Sequence, residues 1–188
     1  MKYYNFSNIS KATILLIFSF IITFYGCLAL KPGGAKSGKN LYDTFFAGDE
    51  GTQYFINPLS FSNPENKDEI QLDITFRYKN IIKDSATINF SILSPQVIKK
   101  LDSVSISNNY QTVTCSKINL LFNEKTKSDY KSRFTFKISV EHLNNLFQNY
   151  EWSVSTFKDS NKTSYLTNKK TKKIINKLKG EIFVILID

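Results

Sequence analysis

Polar and apolar residues alternate with period two through much of this chain. The clearest run is Ile70-Gln71-Leu72-Asp73-Ile74-Thr75-Phe76-Arg77-Tyr78. Its Ile, Leu, Phe and Tyr side chains face one way and Gln71, Asp73, Thr75 and Arg77 the other. That predicts an antiparallel strand with one buried and one wet face. Ala86 to Leu93 repeats the pattern with Ile88, Phe90 and Ile92 inward, and the short connection 79–84 predicts a hairpin between the two. Thr52 to Ile56 predicts a strand closed by Asn57-Pro58. Val104 and Ile106 predict another, ended by Asn108-Asn109, and Gln111–Ser116 with Ile118–Phe122 forms either one long strand or two halves. Phe134, Phe136, Ile138 and Val140 alternate with Arg133, Thr135 and Lys137. Trp152, Val154 and Thr156 begin a further strand, and Tyr165 marks one more. The run Glu181–Ile187, unbroken apolar from Ile182 onward, predicts a last strand, buried on both faces.

The period changes twice. Leu143, Leu146 and Phe147 share one face at helical spacing, with Ser139 able to cap and Glu141 in the first turn, where the helix dipole favours an anion. A second helix is expected over Lys172–Lys179, capped by Asn168 or Thr171, with Ile174, Ile175 and Leu178 apolar and Gly180 just past its end. Tyr42, Phe45 and Phe46 suggest a docked turn or short helix, and Gly48-Asp49-Glu50-Gly51 a turn. The expected fold is mainly β: an antiparallel β-sandwich of about seven to nine strands with one or two short helices. Aromatic residues make up 14% of the chain, with 16 Phe and 10 Tyr, which is ample bulk for one core.

The N-terminal region has a different pattern. A short segment carrying Lys2 and Lys11 precedes an uncharged greasy run that ends in Phe24-Tyr25-Gly26-Cys27. A basic start, an apolar core and a small residue at the cut make an export signal. With the cysteine after Gly26, the segment resembles the precursor of a bacterial lipoprotein. The resemblance implies a signal peptide over 1–26, cleavage before Cys27, and a diacylglycerol thioether on its sulfur with a further acyl chain, such as palmitate, on its amino group. Leu28 comes after the cysteine where Asp would retain such a protein at the inner membrane, so the resemblance implies the outer membrane, facing periplasm or cell surface. A second reading is an uncleaved inner-membrane signal anchor over Ala12–Leu30, closed by Lys31-Pro32-Gly33-Gly34. Both readings place residues 31–188 outside the cytoplasm. Residues 27–40 then form the lipidated cysteine and a flexible tether, and 41–188 a single β-sandwich domain.

Net charge is +9, with lysines concentrated between Lys158 and Lys179. Lys169, Lys170, Lys172, Lys173 and Lys177 form a candidate basic contact surface for anionic headgroups or an acidic partner, or else a solvated helix face. Nucleic acid is not expected as a partner, because the aromatics do not interleave with the basic residues as a stacking platform would. His142 is the one histidine, and Glu141 points about 100° away from it around a helix. A surface histidine is therefore expected. Asp43, Asp49 and Glu50 lack the spacing of a calcium loop, Asp73 and Arg77 read as surface charge, and no phosphate loop or nucleophile elbow occurs. Cys115 is expected to be a small buried hydrophobe on the face of Val113.

No catalytic residue, cofactor or metal is expected. The function expected is a non-catalytic subunit or accessory factor of a cell-envelope assembly, held by the Cys27 lipid and docking an envelope protein. Its mark would be an exposed apolar patch or an unpaired strand edge. A glycan- or lipid-binding lipoprotein would instead show a concave pocket lined by Trp152, Tyr110, Tyr150 or Tyr165. An enzyme would gather His142 or a carboxylate pair in a cleft.

Overall fold

Wherever apolar residues recur at every second position, the chain runs extended and turns them to one common interior. The computed structural model describes residues 41–66, 68–79 and 85–184, all within one unit of the chain, Gly34–Asp188. The segment expected to be a signal peptide, Cys27, the expected tether and residues 185–188 lie outside the described residues. The strands are β1 (Tyr42–Phe46), β2 (Thr52–Ser62), β3 (Glu69–Tyr78), β4 (Ser85–Ser94), β5 (Ser103–Ser107), β6 (Thr112–Cys115), β7 (Asn119–Lys125), β8 (Tyr130–Ser139), β9 (Ser153–Lys158) and β10 (Asn161–Thr167). Two helices, α1 (Val140–Phe147) and α2 (Lys169–Leu178), complete the set. The fold is mainly β with two short helices, as expected.

Every ladder is antiparallel, and the strands belong to one curled sheet with the order β6-β5-β9-β10-β2-β3-β4-β8-β7. β1 lies off this path, paired to the first half of β2. The predicted β3–β4 hairpin is present, with Ile70 opposite Ile92 and Ile74 opposite Ile88. The segment left open between one strand and two resolves into two, and they part company: β6 and β7 occupy opposite ends of the sheet path. The residues between them, 116–118, step from one end to the other. The curl brings the ends together, so that β6 lies close to β8.

The inward faces of β2, β3, β4 and β8 supply most of the core, including Leu59, Phe61, Ile70, Leu72, Ile74, Phe90 and Phe134. Each such side chain contributes about 1.5–3 kcal/mol by leaving water. Both helices press their apolar stripes into the same core through Leu143, Leu146 and Phe147 of α1 and Ile175 and Leu178 of α2. Phe147 is the hub, stacked on Phe183 at 3.8 Å between ring centroids and edge-on to Trp152 at 4.7 Å. Phe183 in turn meets Phe76 of β3 at 5.6 Å. Ser139 caps α1 as expected, its hydroxyl accepting from the His142 N–H at 3.0 Å. Asn168 caps α2 by accepting from the Thr171 N–H at 2.9 Å.

Four local expectations are corrected. The helix does not stop at Gly180, and the described part of the terminal run is no strand. A π-helical turn over Lys179–Phe183 continues α2, because Ile175, Leu178 and Ile182 fall at i, i+3 and i+7 and extend one buried stripe. β2 does not close at Asn57-Pro58 but runs on to Ser62. A register shift between Ile56 and Leu59 lets the proline, which has no N–H to give, sit where the ladder is interrupted. Tyr42, Phe45 and Phe46 belong to strand β1 rather than to a docked helix, and Phe45 and Phe46 are exposed. Gly51 makes this turn possible: its φ is +87°, and a Cβ there would collide with the Tyr78 carbonyl oxygen.

Candidate functional site

Among the described residues, β7 is the one strand of more than five residues in which every side chain is exposed. It hydrogen-bonds to β8 on one side, and among the described residues no strand pairs its other edge. Its centre is Asn119-Leu120-Leu121-Phe122-Asn123, with Leu120 39%, Leu121 49% and Phe122 43% exposed. A register shift between Leu120 and Phe122 marks a bulge at Leu121. Leu120 pairs with buried Phe134 and so turns toward the interior, whereas Phe122 pairs with Arg133 and turns to the wet face. Three consecutive apolar side chains are thereby offered on both sides of an open edge.

Beneath this edge lies a cleft of about 350 Å³, lined by Leu101, Ile118, Leu120 and Phe134 with Lys99, Lys100, Asp102 and Ser116. It opens where the two ends of the sheet approach each other. The segment before β5 is fixed at its rim. The Ile98 N–H donates to the Ser132 hydroxyl at 3.0 Å, and the Asp102 N–H donates to the Phe157 carbonyl at 2.8 Å. Asp102 uses its carboxylate locally, accepting from the Asp159 N–H at 2.8 Å. Lys99 and Lys100 are exposed, and neither makes an ion pair among the described residues.

The lysine surface is partly self-neutralised. Lys172 pairs with Glu151 at 2.6 Å and Lys177 with Glu181 at 3.5 Å. Hydrogen bonding and charge from Lys172 hold the Glu151 carboxyl below its usual pKa. Lys169, Lys170 and Lys173 stand exposed without an ion pair among the described residues. Lys179 turns away and donates to the Gln148 carbonyl at 2.9 Å, at the C-terminal end of α1.

The aromatic candidates divide. Tyr110 and Tyr150 are exposed, but Trp152 and Tyr165 are each only 2% exposed and belong to the core. Burial is favoured for Trp152 because its indole N–H is satisfied inside, donating to the Leu146 and Asn149 carbonyls at 2.9 and 2.8 Å. Burial pushes the Tyr165 hydroxyl up to about 12, with the Asp68 charge adding to the rise and a hydrogen bond to Thr156 opposing it. These four residues do not gather around one pocket. A second cleft of about 320 Å³ beside the Glu151–Lys172 pair has Trp152 and Leu166 in its wall but not Tyr110, Tyr150 or Tyr165.

His142 is exposed at the start of α1, as expected of a surface histidine. Cys115 does share a face with Val113, but on end strand β6 both are half-buried rather than buried, since no further strand covers them. The described residues hold no cluster of three or more His, Cys, Asp or Glu able to bind a metal. Glu50 is taken by Arg77 at 2.6 Å. Asp73 and Arg77 are not simply solvated. Asp73 accepts from Arg133 at 2.7 Å and from Asn89 at 3.0 Å, binding β3, β4 and β8 across the wet face. Sequence pattern could not supply that partner, which lies 60 residues away.

Fold and site together define an antiparallel β protein whose curled sheet is left open at β7. Comparison of the chain with protein-family models, curated proteins and solved structures finds no match. No helix among the described residues is long and apolar enough to cross a membrane.

Proposed function

We propose that this protein is an exported lipoprotein, anchored through Cys27, that acts as a non-catalytic docking subunit of a cell-envelope assembly. The β7 edge carries the reading. An open strand edge is normally shortened, charged or covered, and here it holds Leu120, Leu121 and Phe122 in the open. Backbone donors and acceptors along such an edge give affinity, and neighbouring pockets give specificity. The anchor rests on the leader and Cys27 in the sequence. Two or three acyl chains at about 0.8 kcal/mol per buried methylene would hold the domain at the bilayer.

A photo-crosslinking residue at Leu121 tests the docking role in intact cells, with Lys137 on the outer face of β8 as control. A discrete adduct at position 121, absent at 137 and lost on Leu120→Ser with Phe122→Ser, is the expected result. No adduct at 121, or the same adduct at both positions, refutes it. Labelling with an alkyne fatty acid tests the anchor: label on the wild type and none on Cys27→Ser is expected. An unlabelled wild type ends that part of the reading.

A further inference from the structure

We infer that the β7 edge takes up an extended segment of a partner protein in which acidic and apolar residues alternate, added as one more strand. The inference rests on the docking role proposed for β7 and names the chemistry of what docks. Three observations converge. The free edge of β7 (Asn119–Lys125) presents the backbone N–H and C=O groups of about every second residue, the others being turned to β8. The cleft beneath it has an apolar floor of Leu101, Ile118, Leu120 and Phe134 and a volume of about 350 Å³. That is at the small end of the roughly 300–1,000 Å³ of ligand pockets, the scale of one or two large side chains. At the rim stand Lys99 and Lys100, exposed and without an ion pair among the described residues, and they outnumber the one carboxylate of the lining, Asp102, which accepts from the Asp159 backbone N–H.

An added strand projects alternate side chains to opposite faces. Those turned inward would enter the cleft and leave water. Those turned outward or lying at the rim would meet lysines, and carboxylates are the groups that complement them. A second copy of this chain fits less well. Antiparallel self-pairing would bring Lys125, at one end of β7, toward Lys117, two residues before the other end, on molecules that each carry a net positive charge.

The test uses the full chain in detergent micelles and two fluorescent peptides. One alternates Ile, Leu and Val with Glu and Asp; its twin has Lys in place of every acid. Fluorescence anisotropy should show binding of the acidic peptide alone. Lys99→Gln with Lys100→Gln should weaken it by about tenfold or more, with added salt acting in the same direction. Exposed, unpaired lysines can be changed without loss of fold, and the intrinsic fluorescence of Trp152 verifies this. Equal binding of the twin, an unchanged affinity in the lysine variant, or binding of neither peptide overturns the inference. If neither peptide binds while the Leu121 crosslink persists, the acidic-strand chemistry fails and the docking role stands. If the crosslink is absent as well, both fall.

Discussion

Replacing Leu121 with Ser should remove docking while leaving the fold nearly intact, and the size of the effect can be worked from exposure. Full burial of a Leu or Phe side chain contributes about 1.5–3 kcal/mol. Leu121 is 49% and Phe122 43% exposed, so roughly half of that contribution is realised. Each Ser substitution is therefore expected to cost about 1 kcal/mol. Leu59 is the contrast: it is 0% exposed and sits in the core. Leu59→Ser removes the whole side chain, leaves a cavity and strands a hydroxyl, for a cost of about 4 kcal/mol. Urea unfolding monitored through the single tryptophan distinguishes them, because Trp152 sits between Phe61 and Phe147 and reports the core. With a denaturant slope of about 2 kcal/mol per molar, the midpoints should fall by about 0.5 M for Leu121→Ser and about 2 M for Leu59→Ser. A Leu121→Ser midpoint as low as that of Leu59→Ser would show that the β7 residues are core in the folded chain. The docking role would then have no surface to stand on.

Trp152→Phe should cost about 2 kcal/mol in the same unfolding assay. The Asn149 carbonyl loses its indole donor, whereas Leu146 keeps the Asn108 amide at 2.8 Å, so only part of the polar penalty is felt. Asn168→Ala, which removes the cap of α2, should cost about 1 kcal/mol, and Asn168→Ser should restore most of it. Tyr165 gives a pH dependence. Its hydroxyl ionises near 10 when unfolded and at about 12 in the fold, so its contribution is fully present below pH 10 and is lost as pH rises through 12. Between those values the wild type should lose about 2–3 kcal/mol more than Tyr165→Phe, measured as the difference between their unfolding curves.

The strands that the sequence makes plain are those with one dry and one wet face, such as Ile70 to Tyr78. There the two-residue period is the imprint of burial itself. β1 and β7 carry no such imprint, since neither face of either strand is fully buried and Phe45, Phe46 and Leu121 look like core residues until the third dimension is known. The caps at Ser139 and Asn168 were legible because they act over three residues. The cleft was not, because it draws on 99–102, 116–120 and Phe134, and nothing local brings these together. The run after Leu178 misled by its composition: unbroken apolar residues suit a buried strand or a buried helix equally, and the phase of Ile175, Leu178 and Ile182 decides for the helix.

The attachment of β1 has a mechanical consequence. Among the described residues β1 pairs with β2 alone, with Tyr42 opposite Ile56 at the open end of the hairpin and Phe46 opposite Thr52 at the closed end. A pull on Tyr42 directed across the strands would part the rungs singly, which takes far less force than shearing all five at once. β2 stays put, gripped along its other flank by β3. Freeing residues 42–51 would release a segment with a contour of at most roughly 33 Å, at about 3.3 Å per residue. A body moored at Cys27 would thus carry its own spring-loaded extension line, lengthening under tension before the rest of the sheet feels any strain.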